Sequence, residues 1–315
     1  MTTIPLAYED FLVSMKQELL GYLGEDYQVE LKHVIKNNGI ILDGLLIRGH
    51  GENVSPTIYL NTYYEQFCEG RDFRDIAEEI LAIYEDSSDE SREIGLNFKY
   101  EFEQMKSMIT YRIVNYEKNK LLLRSIPHLR ILDLAVTFHC IVKLEKAGIG
   151  SIRITEEHRT TWNVSLEQLW EVAVENTKRL FPPVIRPMEE VVLDLIEQKN
   201  LLDEEESKAI GKECASKSNM YVLTNQKGIN GAACLLYPHV LEEFAQMLGE
   251  DFYILPSSIH ELILVPQTFT NQEHIQRSKV ELENMVQEIN ETQVAVEEVL
   301  SDHVYEYSKI KDVIA

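Results

Sequence analysis

The segment Met220–Pro266 reads MYVLTN (220–225), then, after a polar interval, GAACLLYPHVLEEFAQMLG (231–249) and EDFYILPSSIHELILVP (250–266). It is the densest apolar block of the chain. DFYIL and HELILV flank Pro256-Ser257-Ser258. Proline presets φ at the second position of a turn, so the two runs predict an antiparallel hairpin. MYVLT and GAACLLY flank the loop Asn225–Gly231 and predict another hairpin. The stretch from about 238 to 248 has helical spacing and ends at Gly249, a helix stop.

The same order extends toward the N-terminus. Tyr8, Phe11, Leu12, Met15, Leu19 and Leu23 predict a helix over 7–24. YQVELKHVIK and GIILDGLLIRG surround Asn37-Asn38-Gly39, residues that accept positive φ, and predict a hairpin. TIYLN at 57–61 reads as a strand, and Phe73, Ile76, Ala77, Ile80 and Ile83 as a helix over about 72–87. LDLAVTFHCIV (132–142) and IGSIRIT (149–155) predict a third hairpin. Ser165 with Gln168 three residues on forms a capping box for a helix that ends before Phe181-Pro182-Pro183. From about Asn271, Ile275, Leu282, Ile289 and Val296 fall seven apart. This spacing predicts a long helix packed on its own sheet, with a homodimer seam as the alternative. Hairpin-then-helix, repeated without a sequence repeat, predicts a two-layer α+β fold with helices on one face of antiparallel sheets.

The chain has 315 residues, 44% of them hydrophobic and 26% charged, a globular composition long enough for two domains. The Pro182–Pro187 stretch is the expected boundary, giving domains 1–181 and 187–315. Net charge is −23. Three segments carry nearly all of it: 65–93 at −8, 187–206 at −7 and 273–306 at −7. They read as solvated faces of amphipathic helices. Such a balance argues against direct binding to nucleic acid or an anionic membrane. It leaves an acidic nucleic-acid mimic, acting on a DNA-binding partner, as one function class. Cys68, Cys140, Cys214 and Cys234 are far apart, with no paired-cysteine motif. No cofactor or metal motif is legible. The opening MTTIPLAYEDF lacks the features of a signal peptide, and no apolar run approaches a membrane span. The expectation is a cytoplasmic protein with reduced thiols.

Chemistry-bearing residues cluster around the opening block. Asn225, Ser257, Ser258 and His260 are the candidate ligand-binding residues, and as a Ser–His set they define a hydrolase alternative. Against catalysis, His260 and Glu261 alternate faces in a strand, so the acid cannot orient the imidazole. There is also no G-x-S-x-G elbow. No residue is assigned a catalytic role. Asn225–Gly231 could cradle an anion with backbone N–H groups, but reads more simply as a hairpin loop. His139 and Cys140 also alternate faces, and the thiol reads as a small buried apolar group. His50, in the polar run 48–53, fits neither a phosphate loop nor a dinucleotide fingerprint.

SPTIYLNTYYEQFCEGRDF (55–73), LWEVAVENTKRLFPP (169–183), MYVLTN (220–225), LLYPHVLEEFAQMLGEDFYILPSSIHELILVP (235–266) and TQVAVEEVLSDHVYEY (292–307) together resemble a family of unknown function from anaerobic Gram-positive bacteria. A fainter similarity, around the ENT and YVLTN segments, is to a second uncharacterised bacterial group. The resemblance implies a bacterial cytosolic protein and carries no catalytic residue or cofactor. The functional expectation is a non-catalytic binding or interaction protein whose partner is a protein or a small molecule.

Overall fold

The computed structural model describes residues 6–49, 57–97, 101–144, 149–198, 220–256, 258–270, 279–309 and 313–314. The chain divides into two units, Met1–Glu101 and Phe102–Ala315. Among the described residues every strand pair is antiparallel and helices alternate with the sheets, an α+β fold.

In the first unit, helix α1 (Tyr8–Leu23) buries Phe11, Leu12, Met15 and Leu19 along one stripe. Strands β1 (Tyr27–Ile35) and β2 (Ile41–Gly49) pair from Tyr27↔Gly49 to Ile35↔Ile41. Asn38 at φ 56° and Gly39 at φ 74° turn the chain between them, which only such residues do cheaply. Strand β3 (Thr57–Tyr59) extends the sheet beside β2. Helix α2 (Asn61–Cys68) was not foreseen, and α3 (Phe73–Asn97) runs beyond its predicted end. The core joins the α1 stripe to Val29, Leu45, Ile47, Ile58, Leu60, Ile76 and Ile80. Buried Asp43 ties the layers together. Its carboxylate accepts from Tyr8 Oη at 2.6 Å and His33 Nδ1 at 2.5 Å, and its N–H donates to Asn61 Oδ1 at 2.9 Å.

The second unit holds two sheets. Strands β4 (Ile109–Asn115) and β5 (His128–Ile131) flank β6 (Leu134–Leu144), and β7 (Ile149–Arg153) continues along the β5 side of β6. Helix α4 (Phe102–Met105) precedes β4, and α5 (Lys120–Leu123) lies between β4 and β5. After α6 (Glu156–Trp162) comes α7 (Leu166–Leu180), which packs on β4 and starts at the predicted capping box. Gln168 N–H donates to Ser165 Oγ at 3.2 Å and Ser165 N–H to Gln168 Oε1 at 2.8 Å. The other sheet contains β8 (Pro183–Pro187), β9 (Tyr221–Asn225), β10 (Phe252–Leu255), β11 (Leu262–Pro266), β12 (Tyr305–Ser308) and β13 (Val313–Ile314). Its order is β13-β12-β10-β11-β9-β8. Helix α8 (Met188–Gln198) follows β8.

The expected boundary at 182–187 does not separate units. That stretch is β8, paired with β9 from Pro183↔Asn225 to Pro187↔Tyr221, and one apolar cluster runs from Ile109 to Tyr307. The prolines are tolerated because β8 is an edge strand at the end of its sheet. A second difference concerns GAACLLY. Both sides of β9 are taken, by β8 and β11, so no strand can pair there. Residues Gly231–Leu236 instead form a 3₁₀ wedge entered from Asn230 at φ 53°, with Gly231–Leu235 all buried. The hairpin β10–β11 forms, Leu255 facing Ile263, but β11 starts only at Leu262. His260 and Glu261 therefore precede the strand instead of alternating within it, and Ser258 bridges Val299 instead of closing a tight turn. The last helix, Lys279–Thr292, buries Leu282, Val286 and Asn290, at intervals of four rather than seven. Ile289 is 38% exposed, Val296 lies in a separate 3₁₀ turn, and Ile275 falls outside the described residues. Leu282 and Val286 pack against Leu255 and Val265 of their own sheet.

A Cβ added at Gly231 would overlap Thr224 Oγ1 and the His260 carbonyl oxygen. The wedge backbone therefore approaches β9 as only glycine allows. Gly231→Ala is expected to lower the unfolding free energy by about 3 kcal/mol in urea titration. Ala232→Gly, one residue on, tests the wedge without the overlap and is expected to cost about 1 kcal/mol.

Candidate functional site

The corner foreseen in the sequence forms from three chain segments. Thr224 Oγ1 donates to His260 O at 2.8 Å, Ala232 N–H to Ile259 O at 3.2 Å, and Ile259 N–H to Glu298 O at 2.8 Å. Asn225 is 4% exposed. Its Nδ2 donates to Ile229 O at 2.9 Å and its Oδ1 accepts from Lys227 N–H at 2.9 Å, so the amide is occupied in holding its own loop. Ser258 is buried and bridges to Val299. Its hydroxyl accepts from His260 N–H at 3.0 Å and bonds the Glu261 carboxylate. His260 Nδ1 accepts from Asn230 N–H at 3.2 Å. The ring proton then sits on Nε2, which faces Glu298 Oε1 at 3.3 Å. Both ring nitrogens are engaged, so none faces a serine hydroxyl as a base would. Ser257 and His50 lie outside the described residues. The structure thus brings Asn225, Ser258 and His260 into one corner, where each holds backbone. The space beside Asn225, bordered by Thr110, Arg112, Asn230 and Tyr237, is about the size of one water.

Burial raises the Glu261 pKa, against the lowering effects of His260 and Ser258. It pushes the Cys140 and Cys234 thiols up to about 12, which makes both inert as nucleophiles. Cys140 faces the core opposite Ile109, and His139 takes the other face of β6. Among the described residues no group of three or more His, Cys, Asp or Glu is placed to hold a metal, and no helix is long and apolar enough to cross a membrane.

A second feature was missed. Strands β4, β5, β6 and β7 carry Arg112, Arg130, Lys143 and Arg153 and not one Asp or Glu, in a chain of net charge −23. By register, Arg112, Thr137 and His128 form one row across a face of this sheet, and Thr110, His139 and Arg153 the next. Burial lowers the Arg112 pKa to about 10, with Arg153 adding to the effect. Burial, then Arg112 and Arg153, hold His139 well below the usual histidine range. At the edge of this sheet lies an open cleft of about 260 Å³ lined by Tyr116, Lys120, Leu123, Arg124 and His128.

The cleft stands on a rigid turn. Asn115 and Asn119 are 6% and 1% exposed. Asn119 Nδ2 donates to Asn115 O at 2.8 Å, Asn115 Oδ1 accepts from Lys118 N–H at 2.9 Å, and Asn115 Nδ2 donates to Leu300 O at 3.0 Å. The Arg130 guanidinium lies 4.2 Å from the Tyr116 ring centroid, a cation–π contact that steadies the ring. His128, which also lines the cleft, bonds Ile126 O through Nδ1 at 3.0 Å. Lys120 meets Glu117 at 2.5 Å, both half-exposed. The exposed Arg124 guanidinium has no partner among the described residues. The sequence signal was the run 112–130, with five Lys or Arg and one acid. Averaging charge over the chain concealed it.

The fold and this cleft define an α+β protein with a cationic recess and no assembled catalytic set among the described residues. The chain belongs to a family of unknown function, DUF5688, whose match spans residues 8–309. No curated protein and no solved structure matches it.

Neutral, buried His139 contributes stability that is fully present above the ordinary histidine pKa of about 6.5 and is lost as pH falls below it, because the unfolded chain then takes up the proton first. Between pH 7 and pH 5 the wild-type melting temperature should fall further than that of His139→Gln. Equal slopes would place the acid sensitivity elsewhere.

Proposed function

We propose that this chain is a non-catalytic binding protein of the bacterial cytoplasm that holds a small molecule in the cleft of Tyr116, Lys120, Leu123, Arg124 and His128. The observation that carries this reading is the Arg124 guanidinium, unpaired among the described residues and lining a recess beside the turn that buried Asn115 and Asn119 hold. A pre-formed recess with a few fixed polar groups is what small-molecule recognition uses. The hydrolase alternative at Asn225, Ser257, Ser258 and His260 has less support, since the His260 ring nitrogens and the Asn225 amide are occupied.

In a thermal-shift screen of anionic and neutral metabolites on the full chain, a ligand at a hundredfold its Kd should raise the melting temperature by about 5–10 °C. Arg124→Glu should abolish that shift, and His260→Asn should lower the starting temperature while keeping it. Ester or amide turnover that disappears in His260→Asn would overturn the proposal.

A further inference from the structure

We infer that the cleft recognises a phosphomonoester, with Lys120, Arg124 and His128 around the phosphate and Tyr116 and Leu123 against the body of the ligand. This rests on the binding function proposed above and names the ligand class for that same site. The first ground is charge. Three side chains able to carry positive charge line one recess, and a phosphate monoester carries about −1.5 to −2 at neutral pH, more than a single carboxylate. Behind them stands a sheet with four Lys or Arg and no acid, so its field attracts an anion that the rest of the chain repels.

The second ground is donor geometry. Arg124 offers a planar fork for two oxygens, and Lys120 a point charge on a flexible stem. His128 donates Nδ1–H to the Ile126 carbonyl, so its Nε2 donates to a phosphate oxygen only as the imidazolium, the form that a bound dianion favours. Glu117 is the one carboxylate on these cations among the described residues. It meets Lys120 in a half-exposed pair, of a kind worth about 0–1 kcal/mol, so a dianion can displace it. The third ground is size. About 260 Å³ is below the usual range for drug-sized ligands. It holds a phosphate and the sugar or ring attached to it, leaves any further part of the ligand outside the open mouth, and excludes a folded polymer. Tyr116, steadied by Arg130, supplies a flat wall for that body.

The test is isothermal titration calorimetry of the full chain with AMP and inorganic phosphate, and with adenosine and succinate as the unphosphorylated and dicarboxylate counterparts. Saturable 1:1 binding of AMP is expected, with phosphate weaker and with adenosine and succinate at least about tenfold weaker than AMP. Arg124→Ala should weaken AMP about tenfold and leave the melting temperature of the free protein unchanged, because the guanidinium has no partner among the described residues. His128→Gln should weaken AMP while keeping one donor. Succinate or adenosine binding as tightly as AMP, with the same loss in Arg124→Ala, would overturn the phosphate assignment and leave the cleft a binding site. No saturation by AMP or phosphate up to about 10 mM would also overturn it. If the thermal-shift screen is silent as well, the binding function fails with it.

Discussion

A tyrosine hydroxyl buried among apolar side chains needs an acceptor, and much of the second unit follows from that need. Tyr111, 1% exposed on β4, donates to the Ala233 carbonyl at 2.9 Å. Ala233 can offer that oxygen because it sits in the 3₁₀ wedge rather than in a strand ladder. Tyr237, at the end of the wedge, bonds the Thr177 and Phe181 carbonyls at 3.2 and 3.0 Å, and Thr177 Oγ1 accepts from Tyr111 N–H at 2.9 Å. The end of α7, the first sheet and the second sheet therefore meet around two phenols. Leaving either unsatisfied would cost about 1–3 kcal/mol. The turn between β5 and β6 makes a similar link, since Asp133 accepts from Ser301 Oγ at 2.6 Å and Tyr305 Oη at 2.5 Å.

Local patterns were legible where local chemistry decides. Asn38-Gly39 fixed one hairpin, and the Ser165–Gln168 box fixed the start of α7. Apolar runs separated by short polar or turn segments revealed β6 with β7 and β10 with β11. What failed was set by distant partners. GAACLLY looks like a strand until β8 and β11 have taken both edges of β9. Pro182–Pro187 looks like a linker until it is seen as an edge strand sharing one core with Ile109 and Tyr307. Ile289 fits a heptad, yet Leu282 and Val286 face the core, and a helix that packs on a sheet buries at intervals of three and four.

The candidate residues show the same division. Asn225, Ser258 and His260 do assemble, and they were singled out because polar groups stood among strands. Their partners are the backbone atoms of Ile229, Lys227, Asn230 and His260 itself, with the carboxylates of Glu261 and Glu298 beside Ser258 and His260. That is the role expected of buried polar groups in a place where three segments cross without a sheet ladder. The cleft was invisible for the opposite reason. Its residues come from a stretch without a strong motif, and only the cross-strand register shows that Arg112, His128, His139 and Arg153 share a face. An acidic chain that keeps acids off one whole sheet has separated its charge, and the cationic recess lies at the edge of that sheet.

On the proposed function, this separation serves a small anionic ligand at Arg124, while the Asn225–His260 corner serves the fold. Native mass spectrometry of the full chain, purified in parallel as wild type, Arg124→Ala and His260→Asn, addresses it most directly. Wild type and His260→Asn should carry the same small phosphorus-containing adduct, and Arg124→Ala should lack it. An adduct that survives in Arg124→Ala and is missing from His260→Asn would contradict it.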